Sequence, residues 1–333
     1  MNQVSYGLPY MGSKSMIADW LIGILPTAEH FYDVMAGGCA VTHRALLSKK
    51  WKQIHANDLT DSPSVFIDAV NKRWHNETRW ISHEDFDRLR DIDPYVGLCW
   101  SFGNNSHKGY LYGVKAEPYM KAWWYAVVFD EWTGFKTLCP ELCDAYRKEV
   151  EGITDTKLRQ LKIREPFERM MQSPDYDAKD NILYQRVESK VKTKHSGILE
   201  SLLHLRRLQI LESINDIERV SISQGDYSVM KFEPNSIIYC DPPYRGTSGY
   251  RSSDESDAIV FDHDRFYDWA EQKSREGYPV FISEYDMPSD RFRCIAERKH
   301  NSRLSASTTT AITERLFVPK GQSIIGTIQL TLF

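Results

Sequence analysis

Two successive prolines, Pro242-Pro243, stand between an acid and an aromatic ring, Asp241 and Tyr244, and this tetrapeptide limits the possible folds more than any other stretch. Each proline fixes its own φ and lacks an N–H, so no central strand can run through the pair. Just ahead lies Ser236-Ile237-Ile238-Tyr239-Cys240, a short apolar, β-branched run bounded by Pro234-Asn235. That is the pattern of a buried strand. The acid and the ring therefore follow directly on a strand's carboxyl end, where open α/β sheets bind their ligands. An acid–diproline turn with a chance tyrosine is the plain alternative.

Other segments read as parts of the same sheet. His30-Phe31-Tyr32-Asp33 leads through Val34-Met35-Ala36 into Gly37-Gly38 and then an apolar stretch. Strand, glycine turn and helix in this order form the first βα unit of a nucleotide-binding sheet. Glycines there let the backbone approach a ligand closely. The GxGxxG spacing is absent, so a dinucleotide is disfavoured, and an adenosyl cofactor suits the single Gly-Gly pair better. A second strand, residues 53–56, runs into Asn57-Asp58. An acid there, roughly 20 residues after the glycine turn, is placed to accept ribose hydroxyls. Asp58 is the candidate and Asp61 the weaker one; an unliganded turn is the alternative. Near the start, Tyr10-Met11-Gly12-Ser13-Lys14 opens a helical pattern that stops at Pro26. Such a turn offers free N–H groups to an anion, or simply caps a helix.

Later segments extend the alternation. An amphipathic helix is expected over residues 198–214, a strand over 219–223 and a turn at Gln224-Gly225-Asp226. Residues 262–275 read as a helix and 279–285 as a strand. Residues 302–313 are expected to form a Ser/Thr-rich loop, and 313–318 with 324–330 the last antiparallel pair. The expected fold is α/β, with a doubly wound, Rossmann-like sheet.

Between residues 62 and 196 the βα alternation fades, and Trp, Tyr and charged residues interleave. This stretch is expected to be an inserted, largely helical domain. Residues 1–61 and 197–333 then make up the sheet domain. Within the insertion, residues 95–105, which carry Asn104 and Asn105, lead into residues 109–113 with Tyr110 and Tyr112. Asn can pair bidentately with adenine, and aromatic rings can wedge or stack beside a displaced base. A polar loop over a core is the alternative. Lys190, Lys192 and Lys194 concentrate positive charge, as a phosphate-contacting strip or a solvated helix face.

Composition bounds the rest. The chain has 333 residues, 41% of them hydrophobic and 26% charged, as in soluble globular proteins. No apolar run is long enough to span a bilayer, and the first residues lack a signal peptide's apolar stretch, so a cytoplasmic location is expected. The six cysteines form no CxxC pair, so reduced thiols are expected and no metal site. A net charge of −4 does not favour nucleic acid, though a binding cleft needs only local positive charge.

In their order these motifs resemble the Dam-type (alpha-arranged) DNA adenine N6-methyltransferases over nearly the whole chain. The resemblance implies S-adenosyl-L-methionine as cofactor and double-stranded DNA as substrate. It assigns cofactor binding to Tyr10, Lys14, Asp33, Met35, Gly37, Gly38, Asp58, Asp226 and Asp241. Val34-Met35 depart from the family's Pro-Phe pair, so Met35 stands where an aromatic usually touches the cofactor. Asp241, Pro242, Pro243 and Tyr244 match the catalytic motif. Its acid and the carbonyl after it hold the exocyclic amine of a flipped-out adenine, while the Tyr stacks on the base. DNA contacts are expected from Asn104, Asn105, Tyr110, Tyr112, Lys190, Lys192, Lys194, Tyr250 and Arg303, and the resemblance implies a strand within residues 95–105 ahead of the Asn104-Asn105 loop. Restriction-modification and phage settings both suit such an enzyme, and no membrane or obligate protein partner is expected. Rivals are an amino-methyltransferase acting on cytosine N4, RNA or a protein Gln, and a catalytically silent DNA-binding protein of this fold. A Rossmann oxidoreductase is disfavoured by the missing GxGxxG.

Overall fold

In the computed structural model, which describes residues 5–114, 116–138, 140–162, 199–245, 261–303 and 309–323, the expected apolar runs pair into one sheet. Its strands are β1 (His30–Asp33), β2 (Gln53–Asp58), β3 (Val220–Gln224), β4 (Ser236–Cys240), β5 (Val280–Glu284), β6 (Phe292–Arg303) and β7 (Thr309–Pro319). They lie in the order β3-β2-β1-β4-β5-β7-β6. The first five run parallel, and β7 pairs antiparallel with both β5 and β6. From β1 the chain steps to β2 on one side, while β4 lies on its other side. The order thus reverses between β1 and β4, the place where open sheets leave a ligand crevice. The Asp33↔Tyr239 register sets the ends of β1 and β4 side by side there.

Burial follows strand position. Every residue of β4 and β5 is buried, as expected of parallel strands covered on both faces. Edge strand β3, with the polar sequence VSISQ, is mostly exposed. Helices α1 (Ala18–Ile24), α2 (Ala40–Ser48) and α3 (Ser62–Val70) accompany the first strands. Beyond them come α4 (His83–Leu89), α5 (Pro94–Cys99), α6 (Glu117–Phe129), α7 (Thr133–Leu138), α8 (Pro140–Val150) and α9 (Thr156–Lys162). The last two are α10 (Glu200–Ile210) and α11 (His263–Arg275). Asp262 caps α11 by accepting the Arg265 amide at 3.0 Å. The helix buries Phe266 and Trp269 in one cluster with Tyr32, Ile238, Ile282 and Phe292 of the sheet. Each such side chain is worth about 1.5–3 kcal/mol when fully buried.

Two compact units emerge: Met1–Arg73 with Leu208–Phe333, and Trp74–Arg207. The first holds the sheet. Its boundary falls later than the expected 61/62 because α3 packs on β2 and β3. Among its described residues the second unit is helical, around an aromatic core. Trp100 and Trp124 are fully buried there, with ring centroids 5.1 Å apart, and Tyr112 lies 6.1 Å from Trp100.

Two expectations are corrected. Residues 94–99 form helix α5 rather than a strand, because Asp93 accepts the Tyr95 amide at 3.1 Å and Pro94 occupies the first turn. Asp-Pro is a helix start, and that signal outweighs the apolar run after it. The expected loop 302–313 is partly strand: Ser302 and Arg303 end β6 and Thr309 begins β7. These polar strand ends have no apolar alternation to betray them. The strand expected at 324–330 lies outside the described residues, and β7 takes β6 as its antiparallel neighbour.

Candidate active site

Acids stand in a row along one edge of the sheet. Asp33 ends β1, Asp58 ends β2, Asp226 follows β3 in its turn, Asp241 follows β4 directly and Glu284 ends β5. Parallel strands bring their carboxyl ends to the same side, so residues far apart in sequence meet there.

The glycine turn is held from three directions. Gly37, at φ +47°, donates its amide to Asp58 Oδ2 at 2.8 Å. The other oxygen of Asp58 accepts the Thr60 amide at 2.9 Å and the Thr60 hydroxyl at 2.8 Å. Asn57 donates its side-chain amide to the Val34 carbonyl at 3.1 Å and the Gly225 carbonyl at 2.9 Å. That one side chain joins the ends of β1 and β2 to the turn after β3. Tyr10 lies against the glycines: a Cβ on Gly38 would come within 2.5 Å of Tyr10 Cβ. Leu8 donates to the Gly38 carbonyl at 2.7 Å, which fixes the amino-terminal segment over the turn.

Asp33 is buried, with Oδ2 accepting the Thr42 amide at 3.1 Å and its hydroxyl at 2.7 Å. Its Oδ1 has no hydrogen-bond partner among the described residues. Burial pushes this carboxyl up to about 7, against the pull of Thr42. Asp226 differs. Burial works against its charge, but Ser228 and Arg265, the latter at 3.2 Å, outweigh that and hold it below the usual carboxylate range. Met35 is half-buried against the sheet core.

At Asp241 a single cation meets several acids. Lys14 Nζ lies 3.0 Å from Asp241 Oδ1 and 3.6 Å from Glu314 Oε1, and sits 4.3 Å over the ring of Tyr244. The Tyr244 hydroxyl donates to the same oxygen of Glu314. Tyr285 meets the Tyr244 ring edge-on at 4.3 Å. Burial pushes the Asp241 carboxyl up to about 6; Lys14 opposes this and Glu314 adds to it. For Lys14, burial disfavours the charge, but Asp241 and Glu314 outweigh it and raise its pKa. Glu284 accepts the Tyr285 amide at 2.8 Å and the Arg245 amide at 3.3 Å, while burial pushes it up to about 7.

Residues 10–96 match the D12 class N6 adenine-specific DNA methyltransferase family. That match, over about a quarter of the chain, supports a DNA adenine methyltransferase. The matched stretch spans Tyr10, Lys14, the glycine turn and Asp58, and stops before the second half of the sheet. No curated protein matches the methyltransferase at a significant level. No helix among its described residues is long and apolar enough to cross a membrane.

The expected cofactor residues and the tetrapeptide all belong to the sheet-bearing unit of the methyltransferase, and the expected DNA contacts divide. Tyr112 is a correction: it is buried, and its hydroxyl shares a 2.8 Å hydrogen bond with Ser201, so no face is left for a base. Tyr110 donates to the Ile81 carbonyl at 2.6 Å and stacks on His83 and Trp100. Asn104 spends its amide on the Leu98 carbonyl at 2.7 Å and on His204 at 2.9 Å. Asn105, half-buried, accepts the His107 amide at 3.0 Å. Arg303 pairs through its backbone with Thr309, and Lys190, Lys192, Lys194 and Tyr250 lie outside the described residues.

Sequence reasoning missed Glu314, Glu284 and Thr42 as parts of this site. Glu314 had a readable signal, a lone acid in the β-branched and apolar run of β7. Its meeting with Lys14 and Tyr244 had none.

Proposed function

We propose that the methyltransferase transfers a methyl group from S-adenosyl-L-methionine to the N6 amine of an adenine flipped out of duplex DNA. The residues present suit that cofactor. The cofactor is cationic at its sulfonium and its ammonium, and an adjoining row of Asp33, Asp58, Asp226 and Asp241 offers the opposite charge. The Oδ1 of Asp33 is buried and has no hydrogen-bond partner among the described residues, which is costly until a donor arrives. Gly37 and Gly38 leave the room in which Tyr10 lies against the turn. Asp58 keeps lone pairs for ribose hydroxyls after closing the turn. When bound, the cofactor supplies an electrophilic methyl group.

The chain's own residues then do the following. Asp241 and the Pro242 carbonyl accept the two N–H bonds of the amine, drawing its lone pair out of conjugation with the ring. The diproline holds both acceptors in place, since neither proline φ can turn. Tyr244 stacks on the base and recovers about 1–3 kcal/mol of the few kcal/mol that flipping costs. The carrying observation is the place of Asp241: it follows β4 directly at the sheet's reversal, beside the end of β1. The helical unit, residues 74–207, serves target recognition in this reading, with Asn105 and the basic stretch through Lys194 as its DNA contacts; Tyr250 and Arg303 contact DNA from the other unit.

The test is methyl transfer from labelled S-adenosyl-L-methionine to duplex DNA by Asp241→Ala. Transfer should fall at least a thousandfold with the fold intact by circular dichroism. Wild-type transfer by this variant would overturn the reading.

A further inference from the structure

The position of Lys14 raises a difficulty for any base that approaches Asp241. Its ammonium takes the Oδ1 acceptor at 3.0 Å and covers one face of the Tyr244 ring at 4.3 Å. Those are the two features that an incoming adenine would use. Lys14 supplies N–H donors where the amine would, and a cation over the ring where the base would stack. A neutral amine that displaced it would strand an ammonium in a largely buried site, which is strongly unfavourable unless another anion receives it.

Such an anion is already in place. Glu314 is delivered by β7, which runs antiparallel beside β5 and so brings its early residues to the carboxyl ends of the parallel strands. Only 2% of Glu314 is exposed, and its Oε1 lies 3.6 Å from Lys14 Nζ. The same oxygen accepts the Tyr244 hydroxyl, so the ring and the second anion are tied together. A small swing of one ammonium exchanges the near and the far carboxylate.

We infer that Glu314 is a positioning residue, a second seat that takes the Lys14 ammonium when the target amine arrives and so frees Asp241 and the face of Tyr244. No proton moves and no covalent bond changes in this exchange; one ion pair replaces another. The inference rests on the reading in which Asp241 holds the amine. Among the described residues, the other charged and titratable groups around Asp241 are Lys14, the acids Asp33, Glu284 and Glu314, the Cys240 thiol, and the phenols of Tyr239, Tyr244 and Tyr285.

Glu314→Gln tests this, because it retains an acceptor for Tyr244 but removes the charge. With Lys14 held by Asp241 alone, kcat on duplex DNA should drop tenfold or more. The Kd for S-adenosyl-L-methionine, from calorimetry, should stay within twofold. Glu314 also raises the Asp241 pKa, so the acidic limb of the kcat–pH profile should move to lower pH in the variant. Glu314→Asp restores the charge and should recover part of the rate. Wild-type kcat in Glu314→Gln would overturn the inference. An unmoved acidic limb with equal impairment in both variants would also overturn it, by reducing Glu314 to a structural role. Asp241→Ala, run in parallel, separates the two levels: full activity there removes the underlying reading, whereas its loss with a normal Glu314→Gln removes only the second seat.

Discussion

Gly37 gives its amide to the Asp58 carboxylate at 2.8 Å, so the glycine turn after β1 is closed by the last residue of β2. The candidate ribose ligand is thus also a structural clamp. Asp58→Ala strands the Gly37 amide and both Thr60 donors, and a buried donor left without its partner costs about 1–3 kcal/mol. The variant should unfold at a lower urea midpoint and bind S-adenosyl-L-methionine at least tenfold more weakly by calorimetry. Asp58→Asn keeps an acceptor for Gly37 and should recover much of the stability but less of the binding. Equal recovery of both would argue that Asp58 acts on the turn alone.

The amino-terminal segment is fitted to the same turn without slack. Gly7 sits at φ +70°, and a Cβ there would come 2.3 Å from the Gly38 carbonyl oxygen. Both the left-handed backbone and the collision penalise any side chain. Gly7→Ala should therefore destabilise the protein by about 2 kcal/mol or more, within the range of steric and backbone mutants. Thermal unfolding checks this, and an unchanged Tm would show that the segment can lift away from the turn at little cost.

Asp33 has a pH signature. Its folded-state pKa of about 7 lies above the ordinary 3.8, so the folded protein holds this proton more tightly than the unfolded chain does. The associated stability is present at low pH and is lost as pH rises from about 4 to about 7, on the order of 1.4 kcal/mol per unit. Asp33→Asn has nothing to titrate there. Urea midpoints measured across that window should move against the wild type relative to the variant. A constant difference between the two proteins from pH 4 to pH 7 would contradict a buried, partly neutral Asp33.

Much of the sheet was legible because its signals are local. The β-branched run before Asp241, the glycine turn after Asp33 and the Asp262 helix start each announce themselves within a few residues. Residues 94–99 misled because the resemblance implies a strand there, whereas the local Asp93-Pro94 start makes a helix. The pairing of β6 and β7 was hidden for a different reason: their facing polar ends lack alternation, and each is set by its partner strand. Glu314 illustrates the limit for the site. Its meeting with Lys14 and Tyr244 depends on β7 running antiparallel beside β5, and no spacing along the chain encodes that. Tyr112 shows the converse, an aromatic that looked like a DNA contact and proves to fill a core.

The helical unit carries one basic surface that sequence reasoning passed over. A cavity of about 470 Å³ is lined by Trp132, Thr133, Lys136, Thr137 and Arg147, with the Arg147 guanidinium 5.9 Å from the Trp132 ring. Positive charge beside a half-buried indole suits a phosphate backbone. Replacing Lys136 and Arg147 together with Ala should lower the salt slope of DNA binding by about 1–2, roughly equally for different sequences. An unchanged slope, measured by fluorescence anisotropy from low to moderate salt, would remove this surface from the DNA interface.

The last prediction concerns the acid at the tetrapeptide itself. In the proposed reading Asp241 accepts an amine hydrogen most strongly when ionised, and burial pushes its pKa up to about 6. Protonation would turn one acceptor into a donor facing another donor. The single-turnover rate with saturating cofactor and DNA should therefore rise with pH through about 6 and level off above it. An ordinary exposed aspartate would place that limb near 4. Asp241→Asn never ionises, so its residual rate should be flat across the same range. A wild-type rate already constant from pH 5 to 8 would show that Asp241 is charged throughout, and that Lys14 and the bound ligands overcome its burial.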